Sequence, residues 1–182
     1  MAILACEPHV CPENLFQGVG FPGYWSVIHT LPRMEKALAR LLNRPGLGFF
    51  LPCTQSRTLI RGKIRVAQIP LFSGYLFVKA DRDQTAHLLR LRQVASIQSV
   101  VDQERLFTEL KQVHDLIALG APLTAVDRLA PGMNVDICQG PMRGLRGRIV
   151  NTATGRRFVV SIDFIGKGVS VVLDDVMLAR CS

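Results

Sequence analysis

The sequence lacks any long hydrophobic run, since no uncharged apolar stretch approaches the ~18 residues that would span a bilayer. The first 30 residues contain no lysine or arginine, so the amino terminus does not resemble a secretory signal, which starts with basic residues. The five cysteines are scattered, odd in number and without a CxxC pair, which argues against a disulfide framework. These absences predict a cytoplasmic protein.

Patterns that would indicate catalysis or cofactor binding are also missing. The four histidines lie in unrelated settings, and no Ser/His/Asp or Cys/His arrangement can be assembled from their spacing. The sequence has no Walker loop and no GxGxxG motif, either of which would cradle phosphate groups. Cys6, His9 and Cys11 lie close together, but no second cluster supplies the further ligands that a zinc ion requires. We therefore predict a non-enzymatic protein with no cofactor and no metal site.

Positive charge is concentrated in one part of the chain. The 182 residues carry a formal net charge of +8. Residues 31–92 contain twelve basic and three acidic residues, so this segment accounts for the whole excess. A basic region on an otherwise nearly neutral chain is typical of proteins that bind a polyanion such as nucleic acid. A well-solvated surface is the alternative that composition alone leaves open.

Residues 24–119 predict an α+β sandwich, in which helices flank an antiparallel sheet, and residues 1–23 are left as an amino-terminal extension. Within the sandwich, residues 32–44 predict a helix with one basic face, and residues 49–69 predict two strands joined in a basic hairpin. The candidate nucleic-acid contacts are Arg33, Lys36, Arg40 and Arg44 on the helix, and Arg61, Lys63 and Arg65 on the hairpin.

The pattern changes after residues 120–128, which have the composition of a linker. Residues 129–182 predict a small all-β domain of about five short strands. Its glycines are spaced so that the chain can turn tightly between two strands. This spacing resembles the KOW motif, which is found in SH3-like barrels that bind nucleic acid or partners in translation and transcription, although an ordinary glycine-rich hairpin would also fit. The motif positions are Gly140, Pro141, Gly144 and Gly147.

A second pattern lies far upstream, at residues 70–78, PLFSGYLFV. This segment resembles PLFPGYVFV of the NusG family of transcription elongation factors, with Ser73 in place of the usual proline. The segments WSVIHT at residues 25–30 and PRMEK at residues 32–36 are similar to the same family, as is the run of strands from residue 158. Because these segments occur in the expected order over residues 24–180, the chain is identified as a member of the NusG family.

The resemblance implies that the first domain binds RNA polymerase, at the clamp helices of its largest subunit, through an aromatic pocket. Tyr75 and Phe77 match the pocket positions, and Phe72 lies beside them. Alternation along a strand places Tyr75 and Phe77 on one face, although all three aromatics could equally belong to the core. The basic residues would then contact upstream or non-template DNA, without reading its sequence.

For the second domain the resemblance implies contact with a small-subunit ribosomal protein or with Rho. Phe164 and Ile165 correspond to the loop that makes such contacts, and they too could belong to the core. We expect a monomer, more specialised than the housekeeping factor, that modulates elongation, pausing, termination or antitermination. The alternative is a KOW-containing ribosome-associated or RNA-binding protein that does not act on transcription. The α+β first domain argues against that alternative, because ribosomal KOW proteins lack it.

Overall fold

The computed structural model of the chain describes residues 8–17, 21–60, 62–120, 122–128, 131–138, 140–153 and 155–172. The chain divides into two compact units, which comprise residues 1–103 and residues 104–182. Of the positions predicted from sequence, Arg61 and the end of the all-β domain from residue 173 lie outside the described residues.

The first unit has the mixed architecture that the sequence predicts. In chain order its elements are β1 (Val10–Cys11), β2 (Tyr24–Thr30), α1 (Glu35–Asn43), β3 (Gly48–Phe50), β4 (Cys53–Ile60), β5 (Lys63–Pro70), β6 (Tyr75–Ala80), α2 (Arg82–Leu88) and β7 (Val94–Ser99). Five of these strands form an antiparallel sheet in the order β1-β3-β6-β2-β7, while β4 and β5, within the described residues, pair only with each other in a separate hairpin.

The two faces of this sheet are both apolar. Ile28 pairs with Leu76, and both pack with Leu38 of α1 in one buried cluster. Val27 pairs with Phe77 on the opposite face, and neither side chain is exposed to solvent. Because adjacent strand residues point to opposite faces, both sides of β6 are covered, as its apolar sequence predicts.

The amino-terminal segment 8–17 packs onto the sheet rather than extending away from it. Val10 pairs with Phe50, and the His9 carbonyl accepts a hydrogen bond from the Leu51 N–H at 2.6 Å. The buried ring of Phe16 stacks on Trp25, with centroids 6.0 Å apart, and meets the edge of Phe50 at 5.1 Å. Residues predicted to form an extension therefore supply an edge strand and core contacts. The pairing joins residues about 40 apart in sequence, so local patterns could not reveal it.

The second unit consists of strands and most of a long helix. Helix α3 (Gln103–Ala118) begins at the last residue of the first unit and continues into the second. The strands that follow are β8 (Thr124–Val126), β9 (Met133–Asp136), β10 (Arg146–Thr152), β11 (Gly155–Ile162) and β12 (Lys167–Val172). They form an antiparallel sheet in the order β8-β12-β11-β10-β9.

Two features of the second unit differ from the sequence-based expectation. Strand β8 lies within the predicted linker, where Thr124 and Ala125 pair with Ser170 and Val169 of β12. Cys138 is disulfide-bonded, which the scattered cysteine positions did not predict. The pairing of β8 with β12 joins distant parts of the sequence, so local composition could not reveal it.

Candidate functional site

The turn between β5 and β6 carries the three aromatic residues predicted to bind a partner. The backbone turns at residues 72–74, and the Tyr75 N–H donates a hydrogen bond to the Phe72 carbonyl at 3.1 Å. Gly74 has a φ of 82°, a conformation that side chains other than glycine rarely adopt. Because β6 starts directly after this glycine, the turn fixes the position of Tyr75 at the beginning of the strand.

The three aromatic side chains differ in their exposure. Phe72 and Phe77 are buried, and their rings meet edge to face with centroids 6.5 Å apart. Tyr75 is only partly buried, and its ring lies 4.3 Å from the His29 imidazole on the neighbouring strand. Of the predicted triad, therefore, Tyr75 is the most exposed member, and the two phenylalanines are buried against each other.

Glu35 links helix α1 to this turn, a role that no pattern in the sequence indicates. Its side chain is buried, and its Oε1 accepts a hydrogen bond from the Gly74 N–H at 2.7 Å. The Gly74 carbonyl in turn accepts the Thr30 N–H at 2.9 Å. Since Glu35 and Gly74 are separated by 39 residues, only the folded chain brings the carboxylate and the amide together.

The predicted basic face lies along α1 and the residues that flank it. Arg33, Arg40 and Arg44 are exposed, and Lys36 is partly buried. The opposite face packs into the core through Leu38 and the other buried residues, which include Glu35 but not Met34. The helix starts three residues later than the sequence predicted, because Arg33 adopts a left-handed conformation with a φ of 63°.

The hairpin of β4 and β5 presents the second basic group. Lys63 and Arg65 are exposed near its tip, as is Arg57 on the opposing strand. The register places Thr58 opposite Arg65 and Arg57 opposite Val66. Arg65 and Arg57 therefore point to opposite sides of the hairpin, since directly paired residues share a side and neighbours alternate.

In the second unit, the glycines of the predicted KOW motif meet two different steric requirements. Gly144 has a φ of 88° in the turn before β10. At Gly147, a Cβ atom would lie 2.5 Å from the Val159 carbonyl oxygen and 2.7 Å from the Phe158 ring. Glycine is therefore required at the first position by conformation and at the second by close strand approach.

The predicted partner loop is a short 3₁₀ turn, Asp163–Ile165, in which Phe164 is exposed and Ile165 is partly buried. Helix α3 holds this turn through Glu109, whose Oε2 accepts the Asp163 N–H at 3.1 Å and whose Oε1 accepts Arg105 Nε at 3.1 Å. Arg105 also pairs with the Asp163 carboxylate. Burial raises the pKa of Glu109, and the Arg105 hydrogen bond opposes that rise.

Among residues 8–172 as far as they are described, no group of three or more His, Cys, Asp or Glu side chains is placed to hold a metal ion. Within the same described part of the chain, no helix is long and apolar enough to cross a membrane.

The comparison with known protein families identifies a match that lies mostly in the first unit. The family model for the transcription termination factor NusG matches residues 23–115, about half of the chain. This range includes α1, the β4–β5 hairpin, the turn at residues 72–75 (the aromatic turn) and most of α3. No curated protein matches the chain. The family consists of non-enzymatic transcription factors, and the match covers the WSVIHT, PRMEK and PLFSGYLFV segments but not the KOW-like segment, which lies beyond residue 115. The chain therefore belongs to the NusG family.

Proposed function

We propose that this protein binds RNA polymerase through the surface around Tyr75 and modulates transcript elongation, pausing, termination or antitermination without chemistry of its own. The aromatic turn carries the proposal, because Tyr75 is partly exposed between two anchored neighbours in the chain. Phe72 and Phe77 are buried and pack edge to face, and the Gly74 N–H donates a hydrogen bond to the Glu35 side chain. A rigid aromatic side chain on a packed support is typical of interface residues that dominate binding.

The polymerase element that fits this surface is the clamp-helix tip of the largest subunit, as the family resemblance implies. The basic face of α1, with Arg33, Lys36, Arg40 and Arg44, would then lie against upstream or non-template DNA. Such contacts need no base recognition, because guanidinium and ammonium groups neutralise phosphates of any sequence. The hairpin residues Arg61, Lys63 and Arg65 form a second group with the same chemistry.

The part of the second unit that follows α3, predicted as residues 129–182, is proposed to be a KOW domain of the SH3-like type. The antiparallel order of its five strands and the steric need for glycine at Gly144 and Gly147 support this. Its partner would be a small-subunit ribosomal protein or Rho, met through Phe164 and Ile165. The exposed Phe164 ring, held in a turn fixed by Glu109, offers an apolar contact for that partner.

The polymerase contact can be tested with single substitutions, since the chain has only two tyrosines. We expect Tyr75→Ala to weaken binding of the full chain to its cognate polymerase at least tenfold, in the range of an interface hot spot. Tyr24→Ala is the matched control, because Tyr24 lies in the same sheet and is 67% exposed. Phe77→Ala would not test the contact, because removing a fully buried ring destabilises the fold.

The result is read in polymerase binding and in transcription with and without the protein. Equal affinity of Tyr75→Ala and the unsubstituted chain would overturn the assignment of the binding surface. Failure of the unsubstituted chain to bind polymerase at all would overturn the proposed function itself.

A further inference from the structure

Strand β7 lies at one edge of the five-stranded sheet, and its outer side has no role in the functions above. Within the described residues it pairs with β2 alone, from Ser99 opposite Ser26 to Val94 opposite Thr30. Its backbone N–H and C=O groups on the side away from β2 therefore have no strand to pair with in that part of the chain. Such an edge is a template for pairing with a strand of another molecule.

The sequence of β7 does little to prevent such pairing. Natural edge strands are often protected by lysine, by proline, by a bulge or by shortness. The segment VASIQS of β7 has six residues, none of which is charged or proline. A register shift between His29 and Thr30 leaves Ala95 without a partner on β2, so the bulge is confined to the start of the strand. Residues 96–99 pair regularly with β2, and three of these four side chains are exposed.

The segment around β7 is complementary to itself when a second copy runs antiparallel to it. A twofold axis at Ile97 places Ser96 of one copy opposite Gln98 of the other, so polar side chains face each other across the contact. The same register places Arg92 opposite Asp102, because each lies five positions from the axis. Both of these charged residues are exposed. A symmetric pair of copies would therefore match opposite charges at both ends of the contact.

An exposed hydrophobic residue lies at the same end of the strand as Asp102. Val101 is 99% exposed, which is the highest value among the large hydrophobic side chains that the structure describes. In the register with Ile97 on the axis, Val101 lies beside the residues that precede β7 in the second copy. Pairing would therefore remove apolar surface from water in addition to forming backbone hydrogen bonds.

We propose that two copies of this chain associate through β7, with the two strands antiparallel about a twofold axis at Ile97. The five-stranded sheets of the two copies then form one continuous sheet. A second copy is favoured over another extended peptide, because both members of the complementary charge pair belong to this chain. The inference does not rest on polymerase binding, since the contact involves no other component.

The proposed contact is small. It involves one strand of six residues from each copy, which is less than a stable dimer interface usually contains. We therefore expect a reversible dimer that forms as concentration rises. The monomer expected from the sequence would then be the dilute form of the protein.

The association is tested by sedimentation of the full chain over a series of concentrations at low salt. We expect the average mass to rise from that of the monomer toward twice that value. Ser96→Lys combined with Gln98→Lys should keep the chain monomeric, because like charges would then oppose each other across the contact. The matched control is Gln55→Lys with Thr58→Lys, which adds the same charge at exposed positions of β4 and should leave the dimer intact.

The register is tested by charge reversal. Arg92→Glu should weaken the dimer about tenfold at low salt, because both pairs with Asp102 become pairs of like charge. Arg82→Glu makes the same change at an exposed arginine of α2 and should leave the dissociation constant unchanged. The difference between the two variants should shrink as salt is added, since salt screens exposed charges.

Hydrogen exchange locates the contact in the unsubstituted chain. Backbone amides of β7 that do not bond to β2 should exchange more slowly at high protein concentration than at low concentration. The amides of β1, at the opposite edge of the same sheet, should exchange at the same rate in both samples.

The outcomes decide the inference without polymerase in the sample. A chain that stays monomeric at every concentration overturns it, as does a dimer without added protection in β7. A dimer that survives Ser96→Lys with Gln98→Lys forms elsewhere and also overturns it. If that variant unfolds, Arg92→Glu decides, because equal dissociation constants for Arg92→Glu and Arg82→Glu would contradict the register.

Discussion

Glu35 shows how one buried side chain can position a candidate binding residue that it does not touch. Its carboxylate accepts the Gly74 N–H at 2.7 Å, one residue before the partly exposed Tyr75. A buried amide without an acceptor lowers the free energy of unfolding by about 1–3 kcal/mol. The carboxylate therefore stabilises the turn, and also the start of α1, where Glu35 is the first residue. At the residue scale, the geometry of the aromatic turn therefore depends on an acid from a different element.

We expect Glu35→Ala to lower the free energy of unfolding by about 1–3 kcal/mol, because the Gly74 amide loses its acceptor. Glu35→Gln keeps an acceptor oxygen in place and should cost less. Urea denaturation of the full chain measures both, and polymerase affinity should fall in the same order. Equal stability of the two variants would show that the hydrogen bond does not stabilise the turn.

The alternation of side chains along a strand predicted that Tyr75 and Phe77 lie on the same face, and the register of β6 with β2 agrees with it. It could not predict which of them reaches the surface. Phe77 is buried because β3 places Phe50 directly opposite it and β2 places Val27 on its other side. Burial of this kind depends on strand order, which a local pattern does not contain.

At the scale of elements, helix α3 forms hydrogen bonds to segments that are far from it in the sequence. The pattern of apolar residues predicts this helix over residues 108–119, whereas it starts at Gln103. The Gln103 side chain donates to the Val100 and Trp25 carbonyls and accepts the Trp25 N–H at 2.6 Å. The early start is therefore fixed by a strand 78 residues away, which explains why periodicity alone placed it too late.

The contact of α3 with the turn at Asp163 should depend on pH. Burial raises the pKa of Glu109 above its ordinary value of 4.5, so the folded chain binds more protons than the unfolded chain just above that value. The free energy of unfolding should therefore fall as pH rises from 4.5 through the raised pKa. We expect Glu109→Gln to remove this contribution, as measured by thermal unfolding of the full chain at a series of pH values.

The matched control is Glu104→Gln, because Glu104 is exposed on the same helix and should leave the pH dependence unchanged. The backbone amide signal of Asp163 reports the contact directly, since its N–H donates to Glu109. Identical pH profiles for Glu109→Gln and the unsubstituted chain would contradict the assignment.

At the scale of the whole molecule, the net charge of +8 is the sum of unequal parts. The excess lies in residues 31–92, within the first unit, and eight of the twelve basic residues of this segment belong to α1 with its flanking residues or to the hairpin. Composition predicted the segment, and the sequence pattern predicted the two groups. Neither could predict that exposed Leu59, Ile64 and Val66 share one side of the hairpin with Arg57, because this depends on strand pairing.

Two separate groups of phosphate contacts should contribute independently to DNA binding. Replacing Arg33, Lys36 and Arg44 with Gln should lower the slope of log K against log salt by roughly 3 on duplex DNA. Combined with Gln at Lys63 and Arg65, the loss should be close to the sum of the two separate losses. Binding titrations of the full chain at several salt concentrations measure this. A combined loss no larger than the helix variant's own would show that the hairpin does not contact DNA.

The pairing of the amino-terminal segment with β3 has a consequence for biosynthesis. Phe16 leaves the ribosome more than 30 residues before Phe50, whose ring it packs against. During that interval its aromatic side has no completed sheet to join, and strand β1 cannot pair until β3 has been made. The other pairings of this sheet wait longer, because each of them needs β6 or β7, so β1 and β3 are the first paired strands to be made in full.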